Sequence, residues 1–130
     1  MNKEDPIDVL AKVGGFEIGG MMGLYIGAAA CGIPVVVDGV TSCLAALAAV
    51  RIDPRVNDYL IYSHLSKEPA AKLIFGALGA EPFLTCDMHL GEGTGAVALM
   101  PLFDMALDVY HNMSTFDSMD MENYEPYEED

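Results

Sequence analysis

Ile33-Pro34-Val35-Val36-Val37-Asp38-Gly39 is the stretch that decides the fold. It is wholly apolar up to Val37, β-branched at its centre, and closed by an Asp-Gly pair. A strand that is apolar at every position is buried on both faces, as in a parallel sheet covered by helices. Downstream, an alanine-rich helix is expected over residues 41–50, with Arg51 near its C-terminus and Pro54 beyond it. Upstream lies a helix over residues 19–31, in which Gly19, Gly23 and Gly27 share one side. Glycine inside a helix costs about 1 kcal/mol relative to alanine. This spacing therefore predicts a bare face pressed closely on a sheet or on a neighbouring helix.

Further outward the same alternation continues. Residues 5–12 read as a short amphipathic helix that starts at Pro6 and is broken by Gly14-Gly15. Tyr59-Leu60-Ile61-Tyr62 reads as a second buried strand, ending in Ser63-His64-Leu65-Ser66. A helix over residues 68–78 stops at Gly79, and Pro82-Phe83-Leu84-Thr85 is a third strand candidate. Leu90-Gly91-Glu92-Gly93-Thr94-Gly95 then leads into a last helix, with Thr94 at the N-cap position and a kink expected at Pro101. Helices and strands in this order imply right-handed crossovers. The expected fold class is α/β: three layers, α/β/α, around a mostly parallel, Rossmann-like sheet.

At 130 residues the chain is long enough for one domain with a sizeable core. Residues 1–115 are assigned to it, and 116–130 to an acidic, disordered tail. The tail residues 117–130 hold seven of the 20 acids and no base, since the last base is Lys72. A net charge of −14 repels phosphate backbones and argues against a nucleic-acid partner. Ile18 to Val37 runs twenty residues without a charge, the length of a membrane span. Gly32, Pro34 and the β-branched run divide it more naturally into a helix and a strand, so no membrane span is expected. Cys31, Cys43 and Cys86 form no C-x-x-C pair and no zinc spacing, and they read as small core residues in a reducing compartment. The N-terminus is polar and lacks the pattern of a signal peptide, so a cytoplasmic location is expected.

In open α/β sheets, ligands bind beyond the carboxyl ends of the strands. The polar residues gather there: Asp38-Gly39 after the first strand, Ser63, His64 and Ser66 after the second, Glu92 after the third. Each has a plainer reading. Asp38 and Ser66 serve as caps of the helices that follow them, His64 is a common loop residue, and Glu92 complements a helix dipole. Their shared position at one sheet edge favours a joint role.

Four blocks in order carry a resemblance: Gly14-Gly15-Phe16-Glu17-Ile18, Ile33–Gly39, Tyr62-Ser63-His64 with Ser66 and Glu68, and Leu90–Ala96. They resemble the C-terminal third of the nicotinate-nucleotide–dimethylbenzimidazole phosphoribosyltransferase family, over about residues 5–115. The resemblance implies transfer of the phosphoribosyl group of nicotinate mononucleotide to a benzimidazole, in assembly of the lower ligand of cobalamin. It implies Glu92 as the general base, a role that partial burial would favour by raising a glutamate's pKa, and no cofactor or metal. It implies phosphate contacts at Gly39 and Ser66, and loop-shaping contacts with ring or ribose from Gly91 and Gly93. Ser63 and His64 belong to the same substrate-binding set. A homodimer is implied too. So is dependence on an upstream portion, which supplies a second glycine-rich loop, a lysine and most of the benzimidazole pocket. A chain excised or encoded separately from that portion is expected to be inactive alone and to bind nucleotide weakly. The alternatives are a non-catalytic nucleotide-binding module and an oligomerisation domain.

Overall fold

A computed structural model of the chain describes residues 1–122. Residues 123–130, the far part of the expected tail, lie outside the described residues. Helix α1 (Pro6–Val13) starts where Asp5 accepts hydrogen bonds from the N–H groups of Ile7 and Asp8. Helix α2 (Phe16–Ala30) begins earlier than its glycine pattern implied, with Gly15 as its cap. Strand β1 (Val35–Val37) is followed by α3 (Val40–Ile52), and so the uncharged stretch does divide into helix and strand. No helix among the described residues is long and apolar enough to cross a membrane.

A 3-10 turn at Pro54–Tyr59 returns the chain to strand β2 (Leu60–Tyr62). The sequence pattern did not announce that turn. Asp53 builds it by accepting from the Arg55 N–H at 3.0 Å, while Pro54 supplies the preset φ. β1 and β2 pair in parallel, with Val35 opposite Leu60 and Val37 opposite Tyr62. Then come α4 (Pro69–Leu78), closed by Gly79 at φ 63°, and α5 (Thr94–Asn112). The result is an α/β chain, mostly helical, on a small parallel sheet.

The expected third strand is a single parallel bridge between His64 and Leu84. Its hydrogen bonds run from the Phe83 N–H to Tyr62 O (3.0 Å), from the Leu84 N–H to Ser63 O (2.9 Å) and from the Leu65 N–H to Leu84 O (2.8 Å). Pro82 has no N–H to add to the ladder, and the segment meets β2 past its end. These bonds nonetheless tie the tip that carries Ser63 and His64 to the chain leading into the glycine loop.

The core forms where α2 and α4 meet α3. Ala45, Ala46 and Ala49 of α3 are fully buried, and their small side chains let the neighbouring helices approach closely. Tyr62 meets Phe75 edge-to-face at 5.6 Å and donates its hydroxyl to Asn57 at 2.9 Å. Only one expected cysteine belongs to this core. Cys43 is buried, with its thiol pushed up to about 12 by burial, whereas Cys31 and Cys86 are exposed.

The glycine stripe of α2 also differs from expectation. A Cβ at Gly19 would touch the Leu10 side chain at an ordinary 3.5 Å, and one at Gly23 or Gly27 would meet nothing within 4 Å. That face is open among the described residues. α2 packs instead through its other side, where Tyr25 is buried.

Residues 1–99 form one compact unit and the chain from Met100 a second. Helix α5 carries Pro101 in its interior and runs to Asn112. A 3-10 turn follows at Asp117–Met119, where Thr115 and Ser118 bond each other's backbone N–H groups at 2.9 and 3.1 Å.

Candidate active site

The carboxyl ends of β1 and β2 and the glycine loop before α5 surround an open cleft of about 360 Å³. β1 delivers Asp38 and Gly39 to it. Gly39 is the N-cap of α3, and no side-chain hydrogen bond covers that terminus. The first-turn N–H groups of α3 therefore remain available to an anion. Among the lining residues Asp38, Glu68 and Glu92 are carboxylates and His64 and His89 are imidazoles; none is lysine or arginine. An anion bound here would rely on backbone N–H groups and a helix dipole, not on a cationic side chain.

Asp38 does not cap the helix that follows it. Its Oδ2 accepts from the Gly93 N–H at 3.1 Å and its Oδ1 from the Ala96 N–H at 3.0 Å. The carboxylate thus caps α5 from the end of β1. Thr94, expected to be that cap, donates its hydroxyl to Gly91 O at 2.7 Å instead.

His64 and Ser63 are buried, at 2% and 0% exposure. Ser63 Oγ donates to the Asp38 carbonyl at 3.1 Å and stands 3.1 Å from His64 Nδ1. A hydroxyl has one proton to give, so the proton in the second bond comes from Nδ1. A ring that carries its proton on Nδ1 alone presents Nε2 as an acceptor. Gly95 makes room for this ring: a Cβ there would lie 1.8 Å from Nδ1.

Glu92 has φ 56°, between Gly91 at φ 77° and Gly93 at φ 80°. Three left-handed residues in a row turn the chain sharply, and a Thr94 N–H bond to Gly91 O at 3.1 Å closes the turn. Glu92 is exposed, because its loop forms the rim of the cleft and no described segment covers it.

Ser66 is buried at the cleft but does not cap α4, whose N-cap residue is Glu68. The Ser66 hydroxyl donates to the Glu68 carboxylate and lies 3.4 Å from Met88 O. All seven expected residues lie at this edge: Gly39, His64, Ser66, Gly91, Glu92 and Gly93 line the cleft, and Ser63 supports His64 from behind. Sequence reasoning quoted Glu68 only within a motif, and it did not single out His89 or the reach of Asp38 to α5. His89 stands two residues before Gly91, and that nearness to the loop was its one available signal. A smaller apolar groove of about 180 Å³, between α1 and α3, shares no lining residue with the cleft. Among the described residues no three His, Cys, Asp or Glu side chains gather to hold a metal ion.

A parallel-sheet edge that offers backbone N–H groups for an anion and a carboxylate on a glycine-shaped rim suits a nucleotide-handling α/β protein. The profile described as "Phosphoribosyltransferase" matches residues 1–120, and the chain belongs to that family. Within it, the chain is similar to the nicotinate-nucleotide–dimethylbenzimidazole phosphoribosyltransferase of Acetivibrio thermocellus, at 52% identity over 122 residues. That match covers 94% of this chain and 35% of the relative. The Clostridium acetobutylicum enzyme of the same name is 51% identical over 125 residues, covering 96% of this chain and 36% of the relative. The crystal structure of the Thermus thermophilus enzyme superposes with a TM-score of 0.84 at 38% identity, over 95% of this chain and 37% of that one. The chain thus spans about a third of the length of these relatives.

Proposed function

We propose that this chain is the C-terminal part of an enzyme that moves the phosphoribosyl group of nicotinate mononucleotide to dimethylbenzimidazole. The products are α-ribazole phosphate and nicotinate. Residues 1–115 form its C-terminal domain, within a three-layer, mostly parallel Rossmann-like architecture, and 116–130 an acidic tail. The enzyme works as a cytoplasmic homodimer in cobalamin lower-ligand assembly, and the rest of its site comes from the portion this chain does not span.

One observation carries the reading: Glu92 is held left-handed between two positive-φ glycines, on the rim of the cleft that Gly39, His64 and Ser66 line. Glu92 is the general base. Attack by one benzimidazole nitrogen on the anomeric carbon leaves a proton on the other nitrogen, and a carboxylate at the rim removes it. The leaving nicotinate departs from a pyridinium, so it needs no proton from the protein. Attack opposite the leaving group inverts the anomeric carbon. Positioning and one base are then sufficient chemistry.

The phosphate rests on the α3 N-terminus at Gly39, with Ser66 at its side, and His64 Nε2 accepts from a ribose hydroxyl. Gly91 and Gly93 bring backbone close to the ring and ribose. An exposed Glu92 fits this scheme when the missing portion and the acceptor base close over it. The test is turnover of nicotinate mononucleotide and dimethylbenzimidazole by the chain complemented with the upstream portion. Glu92→Gln should lower the rate about 10²-fold or more, and the chain alone should make no product. Activity within a few-fold of wild type in Glu92→Gln would leave a non-catalytic nucleotide-binding or oligomerisation domain as the better account.

A further inference from the structure

We propose that Asp38 is the positioning residue for Glu92, locking the loop of the base to the strand end that also carries the phosphate contact. The inference rests on the reading of Glu92 as the base, and it begins from an unfavourable backbone. A non-glycine residue in the left-handed region is sterically disfavoured, because its Cβ crowds the following carbonyl oxygen. Such conformations persist only where the surroundings over-determine them.

Two local bonds, both to Gly91 O, close the turn from within. They fix its shape but not its place. The bonds that reach outside it are those of Asp38 to the N–H groups of Gly93 and Ala96, residues 55 and 58 positions away in sequence. Hydrogen bonds to a charged acceptor are among the stronger ones. Each Asp38 oxygen accepts one of these backbone N–H groups.

Asp38 is also the immediate neighbour of Gly39, the cap residue whose helix terminus faces the cleft. One peptide unit therefore relates the anion site to the anchor of the base. Ser63 bonds the Asp38 carbonyl, and His64 leans on Ser63, so the same residue joins all three polar strand ends.

The first test is amide hydrogen exchange on the 130-residue chain. Asp38→Asn leaves one side-chain oxygen for two N–H groups. The Gly93 and Ala96 amides should then exchange about tenfold faster or more, while those of Ala46 and Ala49 keep their protection. Unchanged exchange at Gly93 and Ala96 overturns the proposal. Should Asp38→Asn fail to fold, the wild-type chain decides. There Gly93 and Ala96 must be better protected than Gly91 and Glu92, and equal protection overturns the proposal.

The second test is kinetic, in the complemented enzyme. Asp38→Asn should lower kcat about tenfold or more with KM for nicotinate mononucleotide within about threefold. A loss confined to KM would make Asp38 part of the phosphate contact and overturn its positioning role. If Glu92→Gln remains active, the base assignment fails instead, and the exchange result on Asp38 stands apart from it.

Discussion

Two regions of this chain are rich in glycine, and they use it in opposite ways. In the loop at residues 91–95, Gly91 and Gly93 have φ of 77° and 80°, and Gly95 lies where a Cβ would strike the His64 ring at 1.8 Å. In α2, a Cβ at Gly20, Gly23 or Gly27 would meet nothing within 4 Å. The loop glycines answer to backbone sterics and to a buried neighbour. The helix glycines answer to nothing among the described residues. Glycine richness thus marks a built site in one place and an open surface in the other.

The sharpest break of this contrast is Gly95→Ala. Its methyl group must displace a ring that is 2% exposed, so the chain should lose about 1–3 kcal/mol in urea unfolding. An unchanged midpoint would mean that His64 can leave its bond to Ser63 freely. Next come Gly91→Ala and Gly93→Ala, each expected to cost about 1–2 kcal/mol because an alanine must occupy the left-handed region.

Glu92→Gly should act in the reverse direction. Relief of the left-handed backbone, partly offset by the entropy of glycine, should stabilise the chain by about 0.5–1 kcal/mol. The complemented enzyme should lose turnover at the same time, as expected where a strained residue is kept for activity. Gly23→Ala and Gly27→Ala should each stabilise the isolated chain by a similar or smaller amount, about 0.5–1 kcal/mol, because the added methyl meets no obstacle. A destabilisation on thermal melting would show that the stripe packs against a second copy of the chain.

The buried side of α2 offers the gentlest test. Burial pushes the Tyr25 hydroxyl and the Cys43 thiol each up to about 12, from ordinary values of 10.0 and 9.0. Both groups stay protonated when folded but ionise when unfolded. The contribution of these two groups should therefore be constant well below pH 9, and stability should fall as pH rises from 9 towards 12. Denaturant midpoints across that range check it, and a midpoint that holds through pH 11 would contradict the burial of this face.

Much of the chain was legible before any coordinates. The apolar run at Val35–Val37, the alanine-rich helix behind it and the turn residues between elements announce themselves by local pattern. The same holds for the polar tips, because strand ends in a parallel sheet fall at one edge. Three cap readings failed. Asp38 is drawn to Gly93 and Ala96, 55 and 58 residues away, a partnership that local spacing cannot detect. Thr94 and Ser66 have local partners, Gly91 O and the Glu68 carboxylate, and spacing alone does not say which of several near groups a hydroxyl will bond. The α2 stripe misled likewise, since spacing reports which residues share a face but not what stands opposite.

By itself the sequence determined the main helices and the first two strands, their order, the edge at which the polar groups collect and the family to which the chain belongs. These follow from periodicity, backbone preference and short-range spacing, which every segment carries within itself. Tertiary structure alone decided that Asp38 reaches across to Gly93 and Ala96, that Ser63 orients the His64 ring over Gly95, and that Glu92 stands exposed on a left-handed turn. Those are contacts between strand ends that only the folded sheet brings within hydrogen-bonding distance.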